Sequence, residues 1–279
     1  MTILTAPELA RRLEEADALA GARFAEALAR LRPATAAAAE PIAGGYAVYA
    51  GVGHPCTRGV GLGMDGPVSE ADLDRMESFF GVRGVPTEVE VCPLAARPLL
   101  QMLGARGYRV TDFDNILARP LDKAEMPAPP AGIVARPAEP DEIDLWARTV
   151  ARGFFDPDEA PAAFQGIFET SGRVPGTRPF LAFADGRPAG GGLLMIHRGL
   201  ARLAGSSTLL AFRRRGVHTA LILGRLALAA SERCDLATLE APPGSVSQRI
   251  AERQGFRVVY TRAKMRLDHR GGAEVLFHY

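Results

Sequence analysis

Two stretches of the chain repeat one another, and this repeat limits the fold more than any other feature. Val89-Glu90-Val91-Cys92-Pro93, a helical stretch ending at Gly107-Tyr108, and the run Asp112 to Leu121 form the first copy. Thr238-Leu239-Glu240-Ala241-Pro242, a helical stretch ending at Gly255-Phe256, and Val258 to Leu267 form the second. Each copy reads strand, helix, turn, strand. In each, glycine suits the left-handed position that follows a helix, and the aromatic side chain packs back on that helix. A tandem duplication of one α/β unit is the simplest account. A length of 279 residues agrees with two domains. The boundary is expected at Met126 to Gly132 (MPAPPAG), whose prolines lack amide donors and hold an extended backbone that fits neither helix nor ladder. The expected domains are therefore 1–125 and 131–279.

Local patterns fill in the first half. Leu9, Leu13, Ala16, Leu19 and Ala20 recur at nearly helical spacing and predict an amphipathic helix from Pro7 to Arg30. Tyr46, Val48 and Ala50 alternate with smaller neighbours as in a strand with one inward face. Ser69, with Asp72 three residues on, announces a second helix. The glycines of Gly59-Val60-Gly61-Leu62-Gly63 have the wrong spacing for a dinucleotide fingerprint and read as strand and turn.

Composition excludes several classes. Hydrophobic residues make up 47% of the chain and charged residues 23%, with no long apolar run, so a soluble globular protein is expected and a membrane span is not. A net charge of +1 gives no field to gather nucleic acid or an anionic membrane. The one basic cluster, Arg213 to Arg215, has no aromatic platform interleaved with it, which argues against RNA. Cys56, Cys92 and Cys234 are odd in number and widely spaced, so they read as reduced thiols of a cytoplasmic protein. No His, Cys, Asp or Glu set has metal-ligand spacing, so no metal is expected.

The segment that carries chemistry lies in the second half. Ser206 to Leu210 reads as a strand, Phe212-Arg213-Arg214-Arg215-Gly216-Val217-His218-Thr219-Ala220 as a loop and helix start, and Leu221 to Ala230 as an apolar helix. Free amides at a helix start, the macrodipole and flanking arginines together make a site for phosphate or pyrophosphate. Gly216 lets the backbone approach the ligand. No Gly-Lys-Ser/Thr and no GxGxxG is present here, which disfavours nucleoside triphosphates and NAD.

Arg213 to His218 resembles the Arg/Gln-x-x-Gly-x-Gly/Ala motif of the GCN5-related N-acetyltransferase superfamily, matching five of its six places; His218 stands where a small residue is usual. The resemblance extends over residues 133–267: strand Ile133 to Pro137, helices from Asp141 and Glu159, the hairpin of Leu181 to Phe183 with Leu193 to Met195, the motif, strand Leu236 to Glu240 and a last helix. It implies an α/β fold of two tandem acetyltransferase-like domains, each a central, mostly antiparallel twisted sheet flanked by helices. The first domain lacks the motif and is expected to be a degenerate half that does not bind CoA in this way and packs on the active half.

The resemblance also implies acetyl-CoA as co-substrate. Backbone groups of Thr208, Leu209 and Leu210 would pair with the pantetheine arm, Arg213 to Ala220 would hold the pyrophosphate, and a free amide at Leu209 or Leu210 would face the thioester carbonyl. A primary amine of a small molecule or peptide would attack directly. The tyrosine that such proteins often use as acid is replaced by Ala251, and Ile250 stands where an asparagine is common. Ser245, Ser247, Tyr260 or a water are the alternatives, with helix capping the plainer role for the serines. Glu240, at the carboxyl end of its strand, is the first choice of base, His197 the second. The acceptor is expected to meet variable loops such as 152–159. No nucleic-acid or membrane partner is expected, and the sequence leaves homodimer formation open. A non-catalytic CoA-sensing or scaffold protein is the competing reading.

Overall fold

The structure is a computed structural model and describes residues 5–121, 128–155 and 162–268. Residues 126 and 127 of the expected boundary, and 156–159 of the expected acceptor loop, lie outside these. The described residues form two compact units. One holds residues 5–115 and 260–268, the other residues 116–121, 128–155 and 162–259. Each unit therefore takes a strand end from the opposite half of the sequence.

The unit of residues 5–115 and 260–268 opens with helix α1 (Pro7–Leu31), then strands β1 (Ala38–Ile42), β2 (Gly45–Tyr49) and β3 (Arg58–Val60), helix α2 (Glu70–Gly81), strand β4 (Thr87–Val91), helix α3 (Pro98–Ala105) and strand β5 (Arg109–Pro120), of which residues up to 115 belong here. The second unit continues with β6 (Ile133–Pro137), α4 (Ile143–Gly153), α5 (Ala162–Ser171), β7 (Thr177–Ala184), β8 (Arg187–His197), β9 (Leu200–Thr208), α6 (Val217–Ser231), β10 (Leu236–Ala241), α7 (Val246–Arg253) and β11 (Arg257–Leu267), whose residues from 260 return to the first. Strand order in the first unit is β1-β2-β3-β4-β11-β5, and in the second β11-β5-β10-β9-β8-β7-β6. The pairs β1–β2, β2–β3, β4–β11, β6–β7, β7–β8 and β8–β9 are antiparallel, while β3 with β4 and β9 with β10 are parallel, each of these two bridged by a helix.

Both repeats end their helix in the same way. Gly107 (φ 88°) and Gly255 (φ 83°) are left-handed. The amides of Tyr108 and Phe256 reach back to the carbonyls of Leu103 (3.1 Å) and Ala251 (3.2 Å). Only glycine enters this conformation without strain, so the turn fixes where the next strand begins. Strand β2 departs from the expected alternation: Ala47, Val48 and Tyr49 are all buried. Val48 packs toward Gly21 of α1, while Ala47 and Tyr49 join the core with Phe80 of α2, so helices cover both faces.

Candidate functional site

The unit of residues 116–259 contains an opening between its parallel strands. Leu236, Ala237 and Thr238 of β10 pair with Leu200, Ala201 and Arg202 of β9, and there the pairing stops, although β9 runs on to Thr208 and β10 to Ala241. The strands part beyond Arg202. A bulge in β9 marks the same place: Gly191 faces Ser207 but Leu193 faces Ala204, so Gly205 and Ser206 together oppose Gly192. Gly205 takes φ 55°, as the extra residue of such a bulge often does. The glycine run at 190–192 is required by close neighbours. A Cβ at Gly191 would lie 2.6 Å from Val150 of α4, and one at Gly192 would lie 2.8 Å from Arg225 of α6.

At the carboxyl end of β9 a short 3-10 turn, Leu210–Phe212, leads into the loop before α6. Arg214 (φ 61°) and Gly216 (φ 88°) are both left-handed. Gly216 is the N-cap of α6, and no side chain caps the helix. The first intrahelical bond is from the Ala220 amide to the Gly216 carbonyl, so the amides of Val217, His218 and Thr219 lack partners within the helix. A Cβ on Gly216 would lie 2.8 Å from Pro130, so the position is closed to larger residues by space as well as by φ. Thr208 Oγ1 is buried without a hydrogen-bond partner. Left-handed backbone, open amides and an orphaned hydroxyl along one edge make a place suited to an anionic ligand.

The three arginines of the loop behave differently. Arg213, exposed like the other two, donates to the carbonyls of Thr208 (3.4 Å) and Gly153 (3.3 Å). Arg215 pairs with Asp185 at 2.7 Å. Arg214 is exposed. His218 lies two turns before Arg225 on α6, and burial, with a smaller contribution from Arg225, pushes its pKa down to about 4, so the imidazole is neutral at pH 7. It adds no charge to the loop. Leu209 is not the free amide expected of it: its N–H donates to Ala189 at 2.9 Å.

The structure separates the expected catalytic residues. Glu240, exposed near the end of β10, is held by Arg202 of β9 at 3.3 Å. His197 pairs with Leu200 at the far end of β9, roughly 25 Å from Thr208 at about 3.3 Å per strand residue. Ser245 caps α7 by accepting the Gln248 amide at 3.1 Å. Ser247 is exposed on the first turn of α7. Ala251 is fully buried in the core. Tyr260 belongs to the other unit, where its hydroxyl donates to Glu14 at 2.7 Å. Burial, then the nearby Glu14 carboxylate, raises its pKa above that of a free phenol.

Tyr260 is one member of a buried charge cluster that sequence reasoning missed. Arg262 donates to Glu14 (2.9 Å), Asp17 (2.7 Å) and Glu90 (2.6 Å), and Arg58 adds an ion pair to Glu90 at 3.0 Å. These side chains link α1, β3, β4 and β11. Nothing marks them in the sequence, because the partners are far apart in the chain. Arg225 was also missed, although a lone arginine within the apolar run Val217 to Ser231 was a visible signal.

The fold of the chain is that of GCN5-related N-acetyltransferases. A protein of that description from Kribbella flavida superposes with a TM-score of 0.64 at 19% identity, over 90% of this chain and 96% of the other. One from Sphaerobacter thermophilus gives 0.56 at 17% identity, over 74% and 68%. A tandem protein of the same kind from the clavulanic acid biosynthesis pathway gives 0.54 at 19% identity, over 80% and 73%. No protein-family model matches the sequence, and no curated protein matches it. Among the described residues no helix is long and apolar enough to cross a membrane.

Proposed function

We propose that the chain transfers an acetyl group from acetyl-CoA to a primary amine of a small molecule or peptide, by direct attack within a ternary complex. The observation that carries this reading is the opening between β9 and β10, adjoining the uncapped start of α6, in a chain with this fold. The amides of residues 214–219 and the exposed Arg214 would hold the pyrophosphate, and the edge of β9 near Thr208 would receive the pantetheine arm. With the Leu209 amide engaged, the Leu210 amide is the remaining backbone candidate for the thioester carbonyl. Glu240 is the base, taking the proton of the attacking amine directly or through water. Tyr260 plays no part, since its hydroxyl is committed to Glu14.

Free-thiol release from acetyl-CoA over an amine panel tests the reaction, and calorimetry with CoA tests the site. Turnover that requires an amine is expected. The buried Ala251, which offers no acid, favours one competing reading, a CoA-binding protein without catalysis. Tight CoA binding with no turnover on any amine would establish that reading, and absence of CoA binding would sink both.

A further inference from the structure

The bulge of β9 carries a hydroxyl held from one side by a buried cation. Arg225, 1% exposed, has no carboxylate partner among the described residues. Burial pulls its pKa below the usual arginine range, yet it remains charged at neutral pH. Its guanidinium instead holds main-chain carbonyls of α6, β8 and β9 and one hydroxyl. Nε donates to Leu221 (2.9 Å), and Nη1 donates to Leu193 (3.0 Å) and Ala204 (3.3 Å). Nη2 donates to Ser206 Oγ at 2.7 Å. A guanidinium has no acceptor, so the serine oxygen must receive this bond and its own proton points elsewhere. That proton meets no acceptor among the described residues. Ser206 is half-buried, at the bulge, four residues beyond Arg202, the last position at which β9 pairs with β10, on the strand whose edge is read above as receiving the pantetheine arm. A hydroxyl whose lone pair is held by a cation is a stronger donor than an isolated one.

We propose that Ser206 is a catalytic residue that donates a hydrogen bond to the thioester sulfur as it departs. The inference rests on the acyl-transfer reading above. The amine nitrogen attacks the carbonyl carbon, the N–C bond forms, and the C–S bond breaks with its electron pair leaving on sulfur. The amine proton passes to Glu240 or water. The thiolate, hydrogen-bonded by Ser206, takes its proton from solvent, and Ser206 keeps its own throughout. Arg225 is a positioning residue that fixes the oxygen.

Ser206→Ala is expected to lower kcat on the order of 100-fold, the cost of one transition-state donor, with KM for acetyl-CoA changed less than about twofold. A second reading needs no turnover: the thiolate absorbance of bound CoA, followed against pH, should show the thiol titrating higher in Ser206→Ala than in the parent protein. Ser206→Thr should keep kcat and Ser206→Val, the same shape without a hydroxyl, should lose it. Equal kcat in the Thr and Val variants, or a CoA titration unmoved by Ser206→Ala, overturns the assignment. A parent protein that binds CoA but acetylates no amine sinks the acyl-transfer reading alone, and the thiol titration still decides whether Ser206 touches the sulfur.

Discussion

Helices α2 and α6 occupy matching places, each bridging a parallel strand pair, and they begin in opposite ways. Helix α2 starts on Ser69, whose side chain accepts the Asp72 amide while the Asp72 carboxylate accepts the Ser69 amide at 3.0 Å. Its first-turn donors are satisfied from within, and a carboxylate already stands where an anion would bind. Helix α6 starts on left-handed Gly216 with no side-chain cap, and its donors await a partner from outside. The surroundings differ in the same sense. Beside β3 and β4 the space under α1 is filled by Arg262, Arg58, Glu14, Asp17 and Glu90, whereas β9 stops pairing with β10 after Arg202. At the α2 start the first-turn donors are met from within the chain, whereas the α6 start leaves its first amides without a side-chain cap.

The charge cluster gives the largest effect by which this contrast can be broken. Arg262→Met would leave three buried carboxylates short of their shared cation and should destabilise the protein by about 3–5 kcal/mol in chemical denaturation. A loss below about 1 kcal/mol would mean that the cluster is wet rather than buried. Gly216→Val forces a β-branched residue to φ 88° against Pro130, and should cost about 1–3 kcal/mol of stability together with more than tenfold of CoA affinity by calorimetry. Full CoA affinity in that variant would remove the α6 start from the site.

Ser69→Ala removes the matching cap on α2. It should cost about 1 kcal/mol in thermal melting and leave CoA affinity unchanged, which separates the two helix starts by function. The smallest effect concerns Glu14, whose carboxyl burial holds above its usual pKa of 4.5 against the opposing pull of Arg262. The folded chain binds this proton more tightly than the unfolded chain, so the associated stability is complete below about pH 4.5 and declines as pH rises toward the raised native value. Glu14→Gln, which has no such proton, should show no decline. Its stability relative to the parent should therefore rise with pH, and a parallel pair of pH profiles would contradict the shift.

Much of the site's framework was legible because its signals are local. Ser69 with Asp72, the Gly107-Tyr108 and Gly255-Phe256 turns, and Gly216 ahead of an apolar helix each act over a few residues, where backbone geometry and hydrogen bonding admit few solutions. Boundaries were less legible: α6 begins at Val217 rather than Leu221, and β9 ends at Thr208 before a 3-10 turn. Tyr260 offers local reading only its residue type, and His197 only its place at the end of a hairpin strand. Neither the strand end that puts Tyr260 beside Glu14 nor the hairpin register that puts His197 at the far end of β9 can be read from nearby residues.

The sequence by itself determined the two repeats, the anion-ready start of α6 and the want of a tyrosine at Ala251. The tertiary structure alone decided which strand ends complete each unit, that Arg262 gathers Glu14, Asp17 and Glu90, and that Arg225 lies against Ser206. The first group depends on φ, on capping and on side-chain chemistry within one or two helical turns. The second depends on burial, which strips charges of water and obliges them to find partners wherever the packed chain has brought them.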